Sequence, residues 1–307
     1  MPRVGILGAT GAVGGVLREL LRDWDDVRYF SSARSAGSEL DGRLVEEATP
    51  EALEAGGLDL CFSAIGASAS LELVPHVVRG GGVAIDKSSA WRMKPDVPLV
   101  VPEVNGDQAL AHNGVIAVPN CSTIQLLVAL KPLHDAAGLR SIRVATYQSV
   151  SGAGKQSMER LRAESVEEHD LRGDWTLEGE EFEEEAKIRE ETRKILDLSE
   201  LPVQAMCVRV PVLVGHLEAV WVETEDALEP QHARSLLADA PGVRVVDFPS
   251  PKQAAGLDEV LVGRVRRDPA TRNGLALMVA GDNLRKGAAL NAVQIAQLLV
   301  ERSALAA

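Results

Sequence analysis

Val4-Gly-Ile-Leu-Gly8-Ala-Thr-Gly11-Ala-Val-Gly14 decides the fold. Val4–Leu7 reads as a buried strand and Val13–Leu21 as a helix, so the three glycines occupy a strand-to-helix turn. Glycine at such a turn lets the backbone approach a pyrophosphate, and the helix N-terminus favours the negative charge. A tight turn with no ligand is the other reading of a glycine trio. Its place at the head of a β–α alternation favours the dinucleotide reading. The residues expected to hold the cofactor there are Gly8, Thr10, Gly11, Ala12 and Val13.

Working outward, Val27–Ser31, Leu58–Ile65, Val83–Asp86, Leu99–Val101 and Val115–Val118 read as short strands. A helical stretch lies near Ser70–Arg79. Alternating strands and helices imply a parallel sheet covered on both faces. The end of the second strand bears on the cofactor. An NAD site usually places Asp or Glu there for the ribose 2′-hydroxyl. This chain has Ser31-Ser-Ala-Arg34-Ser35 instead. Hydroxyls and a guanidinium suit a 2′-phosphate, so Ser31, Arg34 and Ser35 point to NADP; a solvated loop arginine is the alternative.

The pattern changes after residue 140. Ile142–Val150, Val203–Leu213, Leu217–Thr224, Val243–Asp247, Val260–Arg266 and Leu275–Ala280 read as longer strands of a mainly antiparallel sheet with one covered face. Ala288–Glu301 is a final helix. The expected class is α/β. Residues 1–120, completed by the C-terminal helix 285–307, form a dinucleotide-binding domain, and residues 121–284 form an α+β catalytic and dimerisation domain.

Composition narrows the function. The chain has 307 residues, 46% of them hydrophobic but only 3% aromatic, so its core is aliphatic. Thirty-two basic against 45 acidic side chains leave a net −13, which argues against nucleic acid and anionic membrane as partners. The segment Glu159–Glu200 holds 16 acidic and 7 basic residues, a net −9, so the charge is local and does not exclude an anionic substrate. Three cysteines without a CxxC pair, and no HExxH, exclude a disulfide framework and argue against a metal site. No apolar run approaches the roughly 18 residues of a membrane span. The apolar N-terminus runs directly into Arg18 and Glu19, unlike a signal peptide, so the expected location is cytoplasmic.

Pro119-Asn120-Cys121-Ser122-Thr123 precedes the helical run Ile124–Ala136. A cysteine at a helix N-terminus has its thiolate favoured by the dipole, and its pKa is expected to fall. Cys61 and Cys207 lie in apolar strand contexts and read as buried thiols. A thiolate nucleophile needs a proton-handling partner, most often histidine. His76, His112, His134, His169 and His232 read as surface residues. His216 follows Gly215 between two strands, seven positions after Arg209, and is open to either a catalytic or a core role.

The chain resembles the aspartate-β-semialdehyde dehydrogenase family. The matching pieces, in family order, are Gly8–Gly14, Ser31–Gly37, Ser88-Ser-Ala-Trp-Arg-Met93, Val101-Pro-Glu-Val-Asn105, Pro119–Gln125, Thr146–Gly154, Arg209–His216 and Gly281–Asn291. The resemblance implies NADPH-dependent reduction of L-4-aspartyl phosphate to L-aspartate 4-semialdehyde and inorganic phosphate. That reaction feeds lysine, threonine, methionine and diaminopimelate synthesis. It implies Cys121 as the nucleophile that carries a thioester, His216 as acid/base, and Gln148 as a positioning group. It implies that Arg209 pairs with the substrate α-carboxylate, Glu184 with its ammonium, and Arg92 with Lys187 and nearby Asn120 with phosphate. Ser151, Gly152 and Asn283 would touch the nicotinamide end. A catalytic domain like that of glyceraldehyde-3-phosphate dehydrogenase and a homodimer or homotetramer are also implied. One departure is visible: Lys155–Phe182 is shorter than the family's segment and lacks its Phe-Asn-x-x-Pro stretch, in a part that contributes to subunit contacts.

Three other readings compete. N-acetyl-γ-glutamyl-phosphate reductase shares the chemistry but usually sets its cysteine in Gly-Cys-Tyr. A coenzyme-A-linked reductase has no need of the aspartate-site Arg209 and Glu184. A non-catalytic paralogue would be expected to lose Cys121, Gln148, Arg209 or His216, all of which are present.

Overall fold

A computed structural model describes residues 2–163 and 175–303. His169, part of the acidic segment, and the last residues of the expected 285–307 helix lie outside the described residues. The chain forms two compact units, Met1–Pro119 with Ala288–Ala307, and Asn120–Gly287.

The first unit holds strands β1 (Val4–Leu7), β2 (Val27–Ser31), β3 (Glu39–Leu40), β4 (Arg43–Glu47), β5 (Leu60–Ser63), β6 (Val83–Asp86) and β7 (Val115–Ala117). Their order in the sheet is β3-β4-β2-β1-β5-β6-β7. Every pairing is parallel except β3 with β4. The central strands β1, β5 and β6 are buried at every residue, as a sheet covered on both faces requires. Helices α1 (Ala12–Leu20), α2 (Pro50–Glu54), α3 (Ala67–Arg79) and α4 (Pro102–Asn105) belong to this unit.

Two details depart from the strand pattern. Leu99–Val101 makes only one isolated bridge, Leu99 to Ala117, because Pro102 starts α4 directly after it. The β3–β4 hairpin, absent from the strands expected above, turns on Asp41-Gly42, both at positive φ. An Asp-Gly pair is the local signal for such a turn.

The second unit holds β8 (Leu139–Ser149), a small β9 (Leu177–Glu178) and β10 (Glu181–Phe182) hairpin, β11 (Val203–Val210), β12 (His216–Thr224), β13 (Val243–Val245), β14 (Val260–Asp268) and β15 (Gly274–Gly281). Its six-stranded sheet has the order β11-β8-β12-β15-β14-β13. The sheet is mixed. Three pairings are antiparallel, while each edge strand, β11 and β13, runs parallel to its neighbour. Helices α5 (Cys121–Ala137), α6 (Lys155–Ala163), α7 (Glu183–Leu196), α8 (Pro230–Asp239) and α9 (Pro251–Ala254) accompany it. Eleven of the 17 residues of α5 are buried, which makes it the core helix against this sheet. The last helix, α10 (Leu290–Glu301), belongs to the first unit, where Asn291 donates to the Val100 carbonyl at 2.9 Å.

Candidate active site

In the first unit, Gly8 directly follows β1 at φ +88°, a conformation that favours glycine. A Cβ on Gly14 would collide with the Gly8 carbonyl oxygen, so the turn closes against the first turn of α1 only with glycine at that position. Gly11 is the N-cap of α1, Ala12 and Val13 follow it, and no side chain caps the helix. The Thr10 and Ser31 hydroxyls are 2.9 Å apart, which ties this turn to the end of β2. Arg34 is exposed and Ser35 half-buried in the turn that follows, and Ser31–Ser38 contains no acidic residue. These features fit a dinucleotide: backbone donors at a helix N-terminus, with hydroxyls and a guanidinium beside them.

Asp86, at the end of β6, is fully buried and accepts from Ser70 Oγ (2.6 Å), Ser88 N (2.8 Å) and Ser88 Oγ (2.5 Å). Trp91 Nε1 donates to Ser70 Oγ at 2.9 Å. This network shapes the Ser88–Met93 turn, where buried Arg92 donates from Nη2 to the Lys87 carbonyl at 2.7 Å.

The second unit gathers the remaining candidates. Cys121 is the first residue of α5, and Asn120 is its N-cap. Asn120 Oδ1 accepts from Ser122 N (2.9 Å) and Thr123 N (3.4 Å), the usual geometry of an asparagine cap. Cys121 Sγ lies 3.2 Å from His216 Nε2. On the far side of the ring, Nδ1 accepts the Ser149 backbone N–H at 3.0 Å, with Ser149 Oγ at 3.1 Å. The backbone donor favours the tautomer that carries its proton on Nε2, facing sulfur. The hydroxyl can accept if Nδ1 becomes protonated. Burial, then the charge of Arg209, pushes the His216 pKa down to about 3.

Register explains the convergence. Arg209 pairs with Gln148, Tyr147 with Leu217, and His216 with Gly281. Arg209, Gln148 and His216 therefore stand in one row on the buried face of three adjacent strands. Arg209 Nη1 donates to the Ser149 carbonyl at 2.9 Å and reaches Gln148 Oε1 at 3.5 Å, while its guanidinium lies 4.5 Å from the Trp175 ring centre. Gln148 Nε2 donates to Thr146 Oγ1 at 3.3 Å. A Cβ on Gly152 would come 3.0 Å from Arg209 Nη1 and 3.4 Å from His216 Cε1, so glycine there leaves room for both. Asn283 Oδ1 accepts from Gly215 N (2.9 Å) and Ser149 Oγ (3.1 Å), and its Nδ2 donates to Ser151 Oγ (2.9 Å).

Read from its residues alone, α7 is an exposed, ion-paired helix. Its acidic side is in fact partly buried. Glu184 accepts Asn120 Nδ2 at 2.8 Å, and Glu191 accepts the Asn120 backbone N–H at 2.6 Å. Glu185 accepts from Phe182 N and Cys207 N, each at 2.8 Å. Lys187 Nζ stands 3.4 Å from Glu183 and 3.5 Å from Glu184. Cys61 and Cys207 are buried, and burial pushes both thiols up, Cys61 to about 12. Ser149 and Glu191 were not legible as site residues, because no local pattern marks a serine at a strand end or one acid among many. Among the described residues, no cluster of His, Cys, Asp and Glu is arranged to hold a metal ion.

One further acid lies close by. Glu218 is fully buried on the same face of β12 as His216. Burial pushes its carboxyl well above the usual range, opposed by the amide of Gln125, one turn beyond Cys121 on α5.

Residues 3–112 match the family model described as semialdehyde dehydrogenase, NAD binding domain, and residues 130–286 match semialdehyde dehydrogenase, dimerisation domain. The chain is 44% identical to an aspartate-semialdehyde dehydrogenase of Streptomyces akiyoshiensis and 42% identical to one of Aquifex aeolicus, covering 97% of this chain and 98% of each relative. Those alignments span 333 and 334 positions against 307 residues here, so the relatives carry segments that this chain lacks. A crystal structure of aspartate semialdehyde dehydrogenase II from Vibrio cholerae, complexed with ASA, superposes with a TM-score of 0.91 at 38% identity, over 98% of both chains. One from Candida albicans with NADP gives 0.80 at 25% identity, over 99% of both. Two family models in sequence order, and relatives above 40% identity over almost the full length, place this chain in the aspartate-semialdehyde dehydrogenase family.

Proposed function

We propose that the protein reduces L-4-aspartyl phosphate with NADPH to L-aspartate 4-semialdehyde and inorganic phosphate, reversibly, through a thioester on Cys121. The observation that carries this reading is a cysteine at a helix N-terminus with its Sγ 3.2 Å from an imidazole Nε2. The cofactor supplies the hydride. The dipole of α5 and the Nε2–H donor both favour the thiolate. In the reductive direction, sulfur attacks the acyl-phosphate carbonyl, the S–C bond forms, and phosphate leaves with the C–O bond electrons. His216 acts at the oxygen of the tetrahedral carbon, sharing its Nε2 proton with the oxyanion as a hydrogen bond and keeping it as the carbonyl re-forms and sulfur departs as thiolate. Ser149 holds the neutral ring in place by donating its backbone N–H to Nδ1.

The remaining assignments follow charge. Arg209 offers a two-pronged donor to the α-carboxylate, with Gln148 beside it. Glu184 meets the ammonium, and Arg92 and Lys187 hold the phosphate. Asn120 gives its donor to Glu184 and its acceptor to α5, so we assign it to holding the nucleophile. Gly8, Thr10, Gly11, Ala12 and Val13 cradle the pyrophosphate. Ser31, Arg34 and Ser35 take a 2′-phosphate, which makes NADP the cofactor, as in the Candida albicans structure. Ser151, Gly152 and Asn283 would touch the nicotinamide end, and Asn283 also donates to Ser151 Oγ.

The outer face of the second unit's sheet supports a homodimer, or a tetramer built from it. Val208, Tyr147 and Leu217 form one apolar row, and Met206, Ala145, Ala219 and Met278 form the next. Met206 is 68% exposed. Among the described residues no helix is long and apolar enough to cross a membrane. We assign the enzyme to the cytoplasm, in lysine, threonine, methionine and diaminopimelate synthesis.

The test is NADPH formation from aspartate semialdehyde, NADP and phosphate. Folded protein without a phosphate-dependent signal overturns the reaction. Full turnover by Cys121→Ser overturns the nucleophile.

A further inference from the structure

We propose that Glu191 is a positioning residue for the reaction, holding the start of α5 and so setting where Cys121 Sγ stands beside His216. This rests on Cys121 as the nucleophile. Glu191 is 1% exposed, and its carboxylate accepts the Asn120 backbone N–H at 2.6 Å across 71 positions of chain. Asn120 is the residue immediately before Cys121, and its own side chain caps the next two backbone donors.

The grip is double. Glu184 and Glu191 are seven residues, or about two helical turns, apart on α7, so they project from one face. One holds the Asn120 side-chain amide and the other its backbone N–H. Two fixed points on one residue set both the place and the direction of the adjoining helix terminus. Glu184 is assigned to the substrate, whereas Glu191 faces only the protein, and the proposed mechanism gives it no chemical step. A buried carboxylate is costly to hold away from water. Held there against the residue before the nucleophile, it acts by fixing geometry.

Two conservative variants separate this role from a simple tie between helices. Glu191→Gln keeps an acceptor oxygen at the same reach. Glu191→Asp draws the acceptor back by about one carbon–carbon bond, on the scale at which misplacement lowers rates up to roughly a hundredfold. In the intact enzyme we expect kcat of Glu191→Gln within about threefold of the parent. We expect kcat of Glu191→Asp to fall at least about tenfold, with the KM values for NADP, phosphate and aspartate semialdehyde held within about threefold. Alkylation of Cys121 by iodoacetamide at fixed pH, located by mass spectrometry, is expected to slow several-fold in the Asp variant alone. Parent-like kcat and alkylation in Glu191→Asp overturn the inference. So does a tenfold loss in Glu191→Gln, which stands as a test even if the Asp variant fails to fold. Cys121→Ser run alongside keeps the two readings apart: an active serine variant defeats the nucleophile, whereas a dead one beside an indifferent Glu191 defeats only this inference.

Discussion

Cys121 Sγ and His216 Nε2 stand 3.2 Å apart, although 95 positions of chain separate them. With the His216 pKa pushed down to about 3, the ring is neutral in the free enzyme at physiological pH. Its NMR resonances are expected to stay flat between about pH 5 and 8, where an ordinary histidine titrates near 6.5. Replacing Arg209 by Met removes one cause of the depression and is expected to raise that pKa. The same shift affects stability. The unfolded ring binds a proton below about 6.5 and the folded one does not until about 3, so stability falls as pH drops through that window. The slope from this group is about 1.4 kcal/mol per pH unit. Urea unfolding of His216→Asn is expected to show a shallower pH dependence there.

Glu218 predicts the opposite slope. Its carboxyl is held well above 4.5, so the folded state keeps a proton that the unfolded state releases. Stability from this group is full below about 4.5 and is lost as pH rises toward the folded pKa, by about 1.4 kcal/mol per unit. Glu218→Gln keeps the shape without the titration. It is expected to melt increasingly higher than the parent as pH rises from about 5 to 8. A constant difference in Tm across that range contradicts a buried neutral acid.

Gly152→Ala places a methyl 3.0 Å from Arg209 Nη1 and 3.4 Å from His216 Cε1. The Arg209 guanidinium must give by a few tenths of an ångström while the methyl comes into contact with His216, and kcat/KM is expected to fall about tenfold with little change in Tm. Steady-state kinetics beside a thermal melt check this.

Arg34→Ala is expected to raise the KM for NADP much more than that for NAD, because the role proposed for its guanidinium is to take the 2′-phosphate that NAD lacks. A loss of one charge-assisted hydrogen bond is worth about 1.5–3 kcal/mol, or roughly tenfold to a hundredfold in KM for NADP. Equal effects on both cofactors reject that role.

Tyr147→Asp places a charge in the middle of the outer apolar row between Val208 and Leu217. Sedimentation at micromolar protein is expected to show the parent as a dimer or larger and the variant shifted to monomer. An unchanged assembly means that subunits meet elsewhere.

Much of the fold was legible because it rests on local rules. Gly8–Gly14 announces a strand, a turn and a helix N-terminus, since few other residues allow that backbone path. The β–α alternation then implies a parallel sheet. The two parallel edge strands of the second sheet were not legible, because a short apolar strand reads alike in either direction. The same holds for the charge pattern of α7, where hydropathy marks acids as solvated and only packing shows three of them buried on named donors.

The sequence by itself determined the dinucleotide turn, Cys121 at its helix start, and the family to which these motifs belong. Each is a matter of neighbours in the chain. What tertiary structure alone decided is the company Cys121 keeps. His216 reaches it because register aligns β8, β11 and β12. Ser149 reaches the ring from behind because β8 ends at that level, and Glu191 reaches Asn120 because α7 packs against α5. Such partners lie tens of residues apart. Their meeting depends on burial and register summed over the whole unit, which no local stretch of sequence encodes.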